Sequence, residues 1–224
     1  MFSKNFFLIL ISLLLFPLMA TGAPTITCHC FTDRSYDAAH PAKTDPYFLV
    51  TTQNSFFAAL FVVDKTTVVI KKQSGTSNDD LWIAYWLASR SGISADILLR
   101  QRSEVASWRE VVAGQRISFK KDDAGFQHEL QNEASSPVLA QIIVDTVLLK
   151  RRLLTAGEIA AMRTEFAGNQ EMIIAALIAN NYHKSAVDLY RKVIKGDRSW
   201  GMLLLEANIN PARLQHEVDR MFEK

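Results

Sequence analysis

Laid on itself with a shift of 91 residues, the stretch LWIAYWLASRSGISADILLR (81–100) falls on MIIAALIANNYHKSAVDLYR (172–191). From Pro46 against Pro137 the two halves run together without a gap for more than fifty positions, with Ile83 on Ile174, Ala84 on Ala175, Ala88 on Ala179, Ser94 on Ser185, Leu98 on Leu189 and Arg100 on Arg191. One inserted residue then brings Ser107-Trp108 onto Ser199-Trp200 and Ile117 onto Ile209. A period of this kind marks a supersecondary unit used twice. Whatever one half folds into, the other is expected to repeat.

Helix-start signals recur at the same places in both halves. Asp45-Pro46 and Ser136-Pro137 each set a capping residue before a proline, whose missing N–H costs nothing at the first helical position. Asp64 in the first half and Thr155 with Glu158 in the second predict the next helix start. The third helix is apolar nearly all round, through Leu81, Trp82, Ile83, Trp86 and Leu87, and again through Met172, Ile173, Ile174, Leu177 and Ile178. A helix without a polar face belongs at the centre of a bundle. Ser94 and Ser185 cap the fourth helix, and Ser107 with Glu110 the fifth, which begins at Trp108 as its counterpart begins at Trp200. TTVVIKK (66–72) is β-branched enough for a strand, but its alignment with GEIAAMR (157–163) favours a helix. The expected fold is all-α, with two tandem related modules of five helices each, over 45–118 and 136–224. The polar stretch 119–135 reads as a linker.

Residues 1–22 read as a cleavable secretory signal. Lys4 supplies the positive start, Phe6 to Met19 the apolar run and Ala20-Thr21-Gly22 the small residues at the cleavage site. The run is shorter than the roughly 20 residues a spanning helix needs, so membrane contact is expected only through an uncleaved signal. Removing the leader takes one cation and no acid from 25 basic and 23 acidic residues. Export and a near-neutral balance argue against nucleic acid, and the short leader fits a bacterial periplasm best.

The usual motifs for nucleotide binding, serine hydrolysis and zinc proteolysis are missing from the sequence. Ser118-Phe119-Lys120-Lys121 matches a short serine–lysine pattern, but reads better as solvated loop. Asp79-Asp80 and Asp122-Asp123 read as a helix-start cap and solvated charge. Lys150-Arg151-Arg152 reads as the basic end of a helix, with recognition of phosphate or anionic lipid as the rarer meaning. Trp108 and Trp200 are expected to be core anchors, since large aromatics chiefly bury area.

The segment 23–44 contains both cysteines of the chain, in Cys28-His29-Cys30. Three readings compete there. A disulfide across so small a ring would be a local staple, or the pair would bond another chain. Strain makes such a bond easier to reduce, and a protonated His29 would favour a thiolate, which points to thiol–disulfide exchange. Two thiolates with imidazoles from His29 and His40 would suit copper or zinc, although the spacing is shorter than zinc knuckles use. No other cofactor is expected.

TCHCFTDRSYD (27–37), placed just after a leader, resembles a group of exported bacterial proteins of uncharacterised function that carry a Cys-His-Cys motif. The resemblance implies an exported helical protein and supplies no activity. With catalytic motifs missing and a tandem helical build that makes surfaces readily, the function expected is binding of a partner, another exported protein, or a structural role, and not catalysis. The alternative is a thiol-redox or metal-binding protein centred on Cys28 and Cys30.

Overall fold

The computed structural model describes residues 41–223, with side chains from residue 45 onward. The signal segment and the expected site residues Cys28, His29, Cys30 and His40 lie outside the described residues. Within them the fold is all-α, with no strand. The helices are α1 (Pro41–Phe61), α2 (Lys65–Gln73), α3 (Asn78–Ser91), α4 (Ala95–Glu104), α5 (Trp108–Gln115) and α6 (Ala124–Gln131), then α7 (Ser136–Lys150), α8 (Ala156–Thr164), α9 (Asn169–Tyr182), α10 (Ala186–Ile194), α11 (Trp200–Glu206) and α12 (Leu214–Phe222). Short 3-10 turns, Lys121–Asp123 and Pro211–Arg213, lead into α6 and α12.

The expected caps form these starts. Asp64 accepts from the Thr66 N–H, Ser94 from Asp96, Ser107 from Glu110, Ser185 from Asp188 and Ser199 from Met202. Thr155 and Glu158 make the full reciprocal capping box of α8. The β-branched stretch 66–72 is helical within α2, because Asp64 satisfies its first turn and Val68 and Val69 bury one face.

Several details differ from expectation: Ser136, expected as a cap, is the first residue of α7 behind Ser135, and the described residues of 136–224 carry six helices, α7 to α12, where five were expected. Helix α1 begins at Pro41, so Pro46 lies inside it and not at its first position. The segment 119–135 is no plain linker, since it carries the 3-10 turn and α6. Two buried apolar residues, Phe126 and Leu130, one helical turn apart, suffice to dock so short a helix. A window that short gives no sustained apolar period. Asp123, expected to be solvated, is buried and receives the Arg90 guanidinium at 3.3 Å.

Helix α1 buries seven consecutive residues, 52–58, and α9 buries seven, 172–178, so both are enclosed on every side. Helix α1 packs chiefly on α9, α11 and α12, all from the second half of the chain. Helix α7 packs chiefly on α3 and α6, from the first half. Each half thus gives its first long helix to the other's core. An aromatic cluster at the end of α1 reinforces this centre, with Phe57 at 5.0 Å from both Trp82 and Tyr85 in edge-on geometry.

Both bounds of α8 and α9 lie 91 residues after those of α2 and α3. Left-handed backbone recurs with nearly the same spacing, at Val62 and Arg152, Gly75 and Phe166, Gly92 and His183, and Arg116 and Asn208. These residues end helices, where a positive φ lets the last carbonyls find donors.

Candidate functional site

The start of each exchanged helix is tied to the start of a distant one. The Asp45 carboxylate in α1 accepts from the Trp200 and Gly201 N–H groups of α11, each at 3.0 Å. At the start of α7, the Ser136 hydroxyl donates to Asp80 Oδ1 at 2.8 Å, and the indole N–H of Trp108 donates to the same oxygen at 2.7 Å. Asp80 is therefore a junction between α3, α5 and α7; the expected helix-start cap is not Asp79 or Asp80 but Ser77, whose side chain accepts from the Asp80 N–H. Trp108 and Trp200 are both buried, as core anchors should be.

Polar pairs lie deeper between the helices. Lys72 Nζ donates to Asn54 Oδ1 at 2.6 Å, and at the places 91 residues on, Arg163 donates to Asp145 at 2.6 and 3.1 Å. Gln170 Nε2 donates to Gln53 Oε1 at 3.1 Å, joining α9 to α1. Asp79 is held above the ordinary carboxylate range, first by burial and then by the charge of Asp80. These groups are committed to holding helices together. Among the described residues, no three His, Cys, Asp or Glu side chains gather where they could hold a metal ion.

The two halves differ at the turn between the second and third helices. In the first half this turn, Ser74 to Ser77, opens on a cleft of about 460 Å³ with a polar lining that includes Thr76, Arg102 and Ser103, and Gly75 adopts φ +93°. In the second half the place of Gly75 is taken by Phe166, at φ +64° and 94% exposed. Left-handed backbone strains a bulky residue, and an exposed phenyl ring gains nothing from burial to offset it.

The neighbours of Phe166 are fixed on both sides. The Tyr190 hydroxyl donates to the Glu165 carbonyl at 2.9 Å, and the Arg191 guanidinium donates through Nε to the Glu165 carboxylate at 2.8 Å. That hydrogen bond and the Arg191 charge hold the Glu165 carboxyl below its usual range. On the other side, Arg163 donates to the Ala167 carbonyl at 2.6 Å, and Ala167 is buried. Phe166 thus projects from a braced turn. One helical turn beyond Arg191, Ile194 is also exposed, flanked by Lys192 in α10 and by Lys195, the residue that follows the helix.

Sequence reasoning missed Phe166, although the shift of 91 sets an aromatic residue against Gly75 and so contained the signal. Lys150 and Arg151 do lie at the end of α7, where Lys150 pairs with Asp122 at 3.4 Å and Arg151 stands over the Phe222 ring. Among the described residues, no helix is long and apolar enough to cross a membrane. Comparison with known proteins finds no family model that matches the chain, and no curated sequence or solved structure with significant similarity to it.

Proposed function

We propose that the chain is an exported, periplasmic partner-binding module built from two copies of one helical unit, and that its second copy presents Phe166 as the anchor for another exported protein. The duplication is supported by the common spacing of helix bounds and left-handed positions, and by the reciprocal packing of α1 and α7. The observation that carries the binding role is Phe166 itself, an exposed aromatic in strained backbone with braced neighbours. A residue held in this way loses little freedom on binding, which is what interface anchors require. Lys192 and Lys195 would favour a partner with an acidic rim around an apolar pocket. The leader, Lys4 with its short apolar run, supports removal near Ala23, which intact-mass measurement of the exported protein tests.

The experiment places a photoreactive phenylalanine analogue at position 166 in the exported protein, with Ala160, exposed on the same half, as control position. A discrete adduct at 166 that is absent at 160 is the expected result. Failure of position 166 to cross-link would remove the proposed anchor.

The second reading, thiol-redox or copper or zinc binding, rests on Cys28-His29-Cys30 with His40. Thiol quantification with elemental analysis of the mature protein separates it from the first. Reversible thiol–disulfide exchange lost on changing both cysteines to Ser would favour redox work, and metal bound in proportion to protein would favour the metal site.

A further inference from the structure

Where the exchanged helices end, they enclose a second site of a different character. Leu60 and Phe61 close α1, and Val147 lies in the last part of α7; together they line a cleft of about 220 Å³ with Trp86 of α3. Lys150 and Arg151 stand on the same cleft. Leu60 and Arg151 are 91 residues apart, so equivalent places of the two halves meet across it. The places equivalent to Lys150 and Arg151 in the first half are Ala59 and Leu60, so one half brings cations and the other an apolar wall.

The charges here are not all consumed by structure. Arg90 is, since its guanidinium lies 3.7 Å from the Trp86 ring centre and binds buried Asp123. The partner of Lys150, Asp122, is largely exposed, and an exposed pair of this kind is worth little. Arg151 has no carboxylate partner among the described residues, only the face of Phe222 at 5.1 Å. Cations at a helix end are ordinarily accounted for by the helix dipole. A dipole does not account for their standing over an apolar cleft formed with two other helices.

We infer that this cleft binds a compact organic anion, a carboxylate carrying a small aromatic or branched apolar body, whose charge meets Lys150 and Arg151 while its body lies against Leu60, Phe61, Val147 and the Trp86 ring. The volume is below the roughly 300–1,000 Å³ of clefts that take drug-sized ligands, which limits the body to about a single ring. The apolar wall distinguishes this ligand from a bare inorganic anion, and the cations distinguish it from a neutral hydrocarbon.

Benzoate is the probe, titrated into isotope-labelled protein while the assigned indole resonance of Trp86 is followed by NMR. A saturable shift of that resonance is expected. Benzamide, the neutral analogue, and inorganic phosphate, an anion without the body, should each bind at least about tenfold more weakly, a difference of ~1.4 kcal/mol. The exposed-site double variant Lys150→Gln, Arg151→Gln should lose at least the same factor for benzoate while keeping its helical circular-dichroism spectrum. No saturable shift overturns the site. Equal binding of benzamide, or undiminished binding by the double variant, overturns the role of the cations, and equal binding of phosphate overturns the role of the apolar wall. Position 166 is untouched in all of these measurements, so they stand apart from the docking role of Phe166.

Discussion

Asp45 of α1 caps α11 through two backbone N–H groups, of Trp200 and Gly201, each at 3.0 Å from a different carboxylate oxygen. An acidic side chain at a helix start meets both unsatisfied donors and the positive end of the helix dipole. Here the cap comes from more than 150 residues away in sequence and fixes how the first half's leading helix lies on the second half. Asp45→Ala is expected to lower unfolding free energy by about 0.5–2 kcal/mol, the usual range for a lost cap. Urea denaturation measures it. An unchanged midpoint would mean that the Ser199 cap of α11 suffices alone.

Phe166 is the reverse case, an exposed ring in left-handed backbone. Replacing it by Gly relieves the left-handed strain, while the added freedom of glycine in the unfolded chain offsets part of the gain. Phe166→Gly is expected to raise stability by up to about 1 kcal/mol and, on the docking role proposed for the ring, to abolish capture of the partner. Thermal unfolding checks the first half of this statement, and competition of the unlabelled variant against the photoreactive protein for its adduct checks the second. A destabilised variant would show that the ring supports the fold.

Asp79 gives a pH dependence with a definite sign. Burial, then the Asp80 charge, raises its folded-state pKa above the ordinary 3.8. The folded protein therefore holds this proton more tightly than the unfolded chain does, and stability falls as pH rises through that window. At neutral pH the whole penalty is present. Asp79→Asn removes it, and is expected to raise Tm at pH 7, as thermal unfolding measured across pH would show. The difference should shrink toward zero as pH falls below 3.8. A gain that persists in acid would assign the effect to hydrogen bonding.

Much of this architecture is written in short-range signals. Asp64, Ser94, Ser107, Ser185 and Thr155 announce helices because capping needs only a side chain two or three residues from an N–H. The all-apolar third helix announces its place at the centre. The exchange of α1 and α7 was not legible, because periodicity reports that a face is buried without saying against which helix. Helix α6 was lost for lack of length. Asp123 reads as solvated from its neighbours Lys121 and Asp122, and only the fold brings Arg90 to it across 33 residues. Phe166 was legible in principle, since a glycine in one half facing a phenylalanine in the other flags a backbone position used in two ways.

The Arg163–Asp145 pair tests whether the two halves use one design with interchangeable parts. Both side chains are mostly buried, at 13% and 23% exposure, so removing either alone leaves a charge without its partner. Such a loss is expected to cost about 2–4 kcal/mol, toward the lower end for burial that is incomplete. The first half makes the corresponding contact with Lys72 and Asn54, which need only one ionised member. Asp145→Asn with Arg163→Lys would rebuild that version in the second half, and is expected to lose less than the sum of the two single changes, with a coupling of about 1–3 kcal/mol in a double-mutant cycle. Recovery should be incomplete. Arg163 also donates to Asn169 Oδ1 at 2.7 Å and to the Ala167 carbonyl at 2.6 Å, and a lysine ammonium has no planar fork to reach all three. The missing bond is the brace beside Phe166, so, on the docking role proposed for that ring, the double variant is expected to bind the partner more weakly than the parent even at full folding. Equal binding would show that Glu165, held by Tyr190 and Arg191, positions the phenyl ring without help from Arg163.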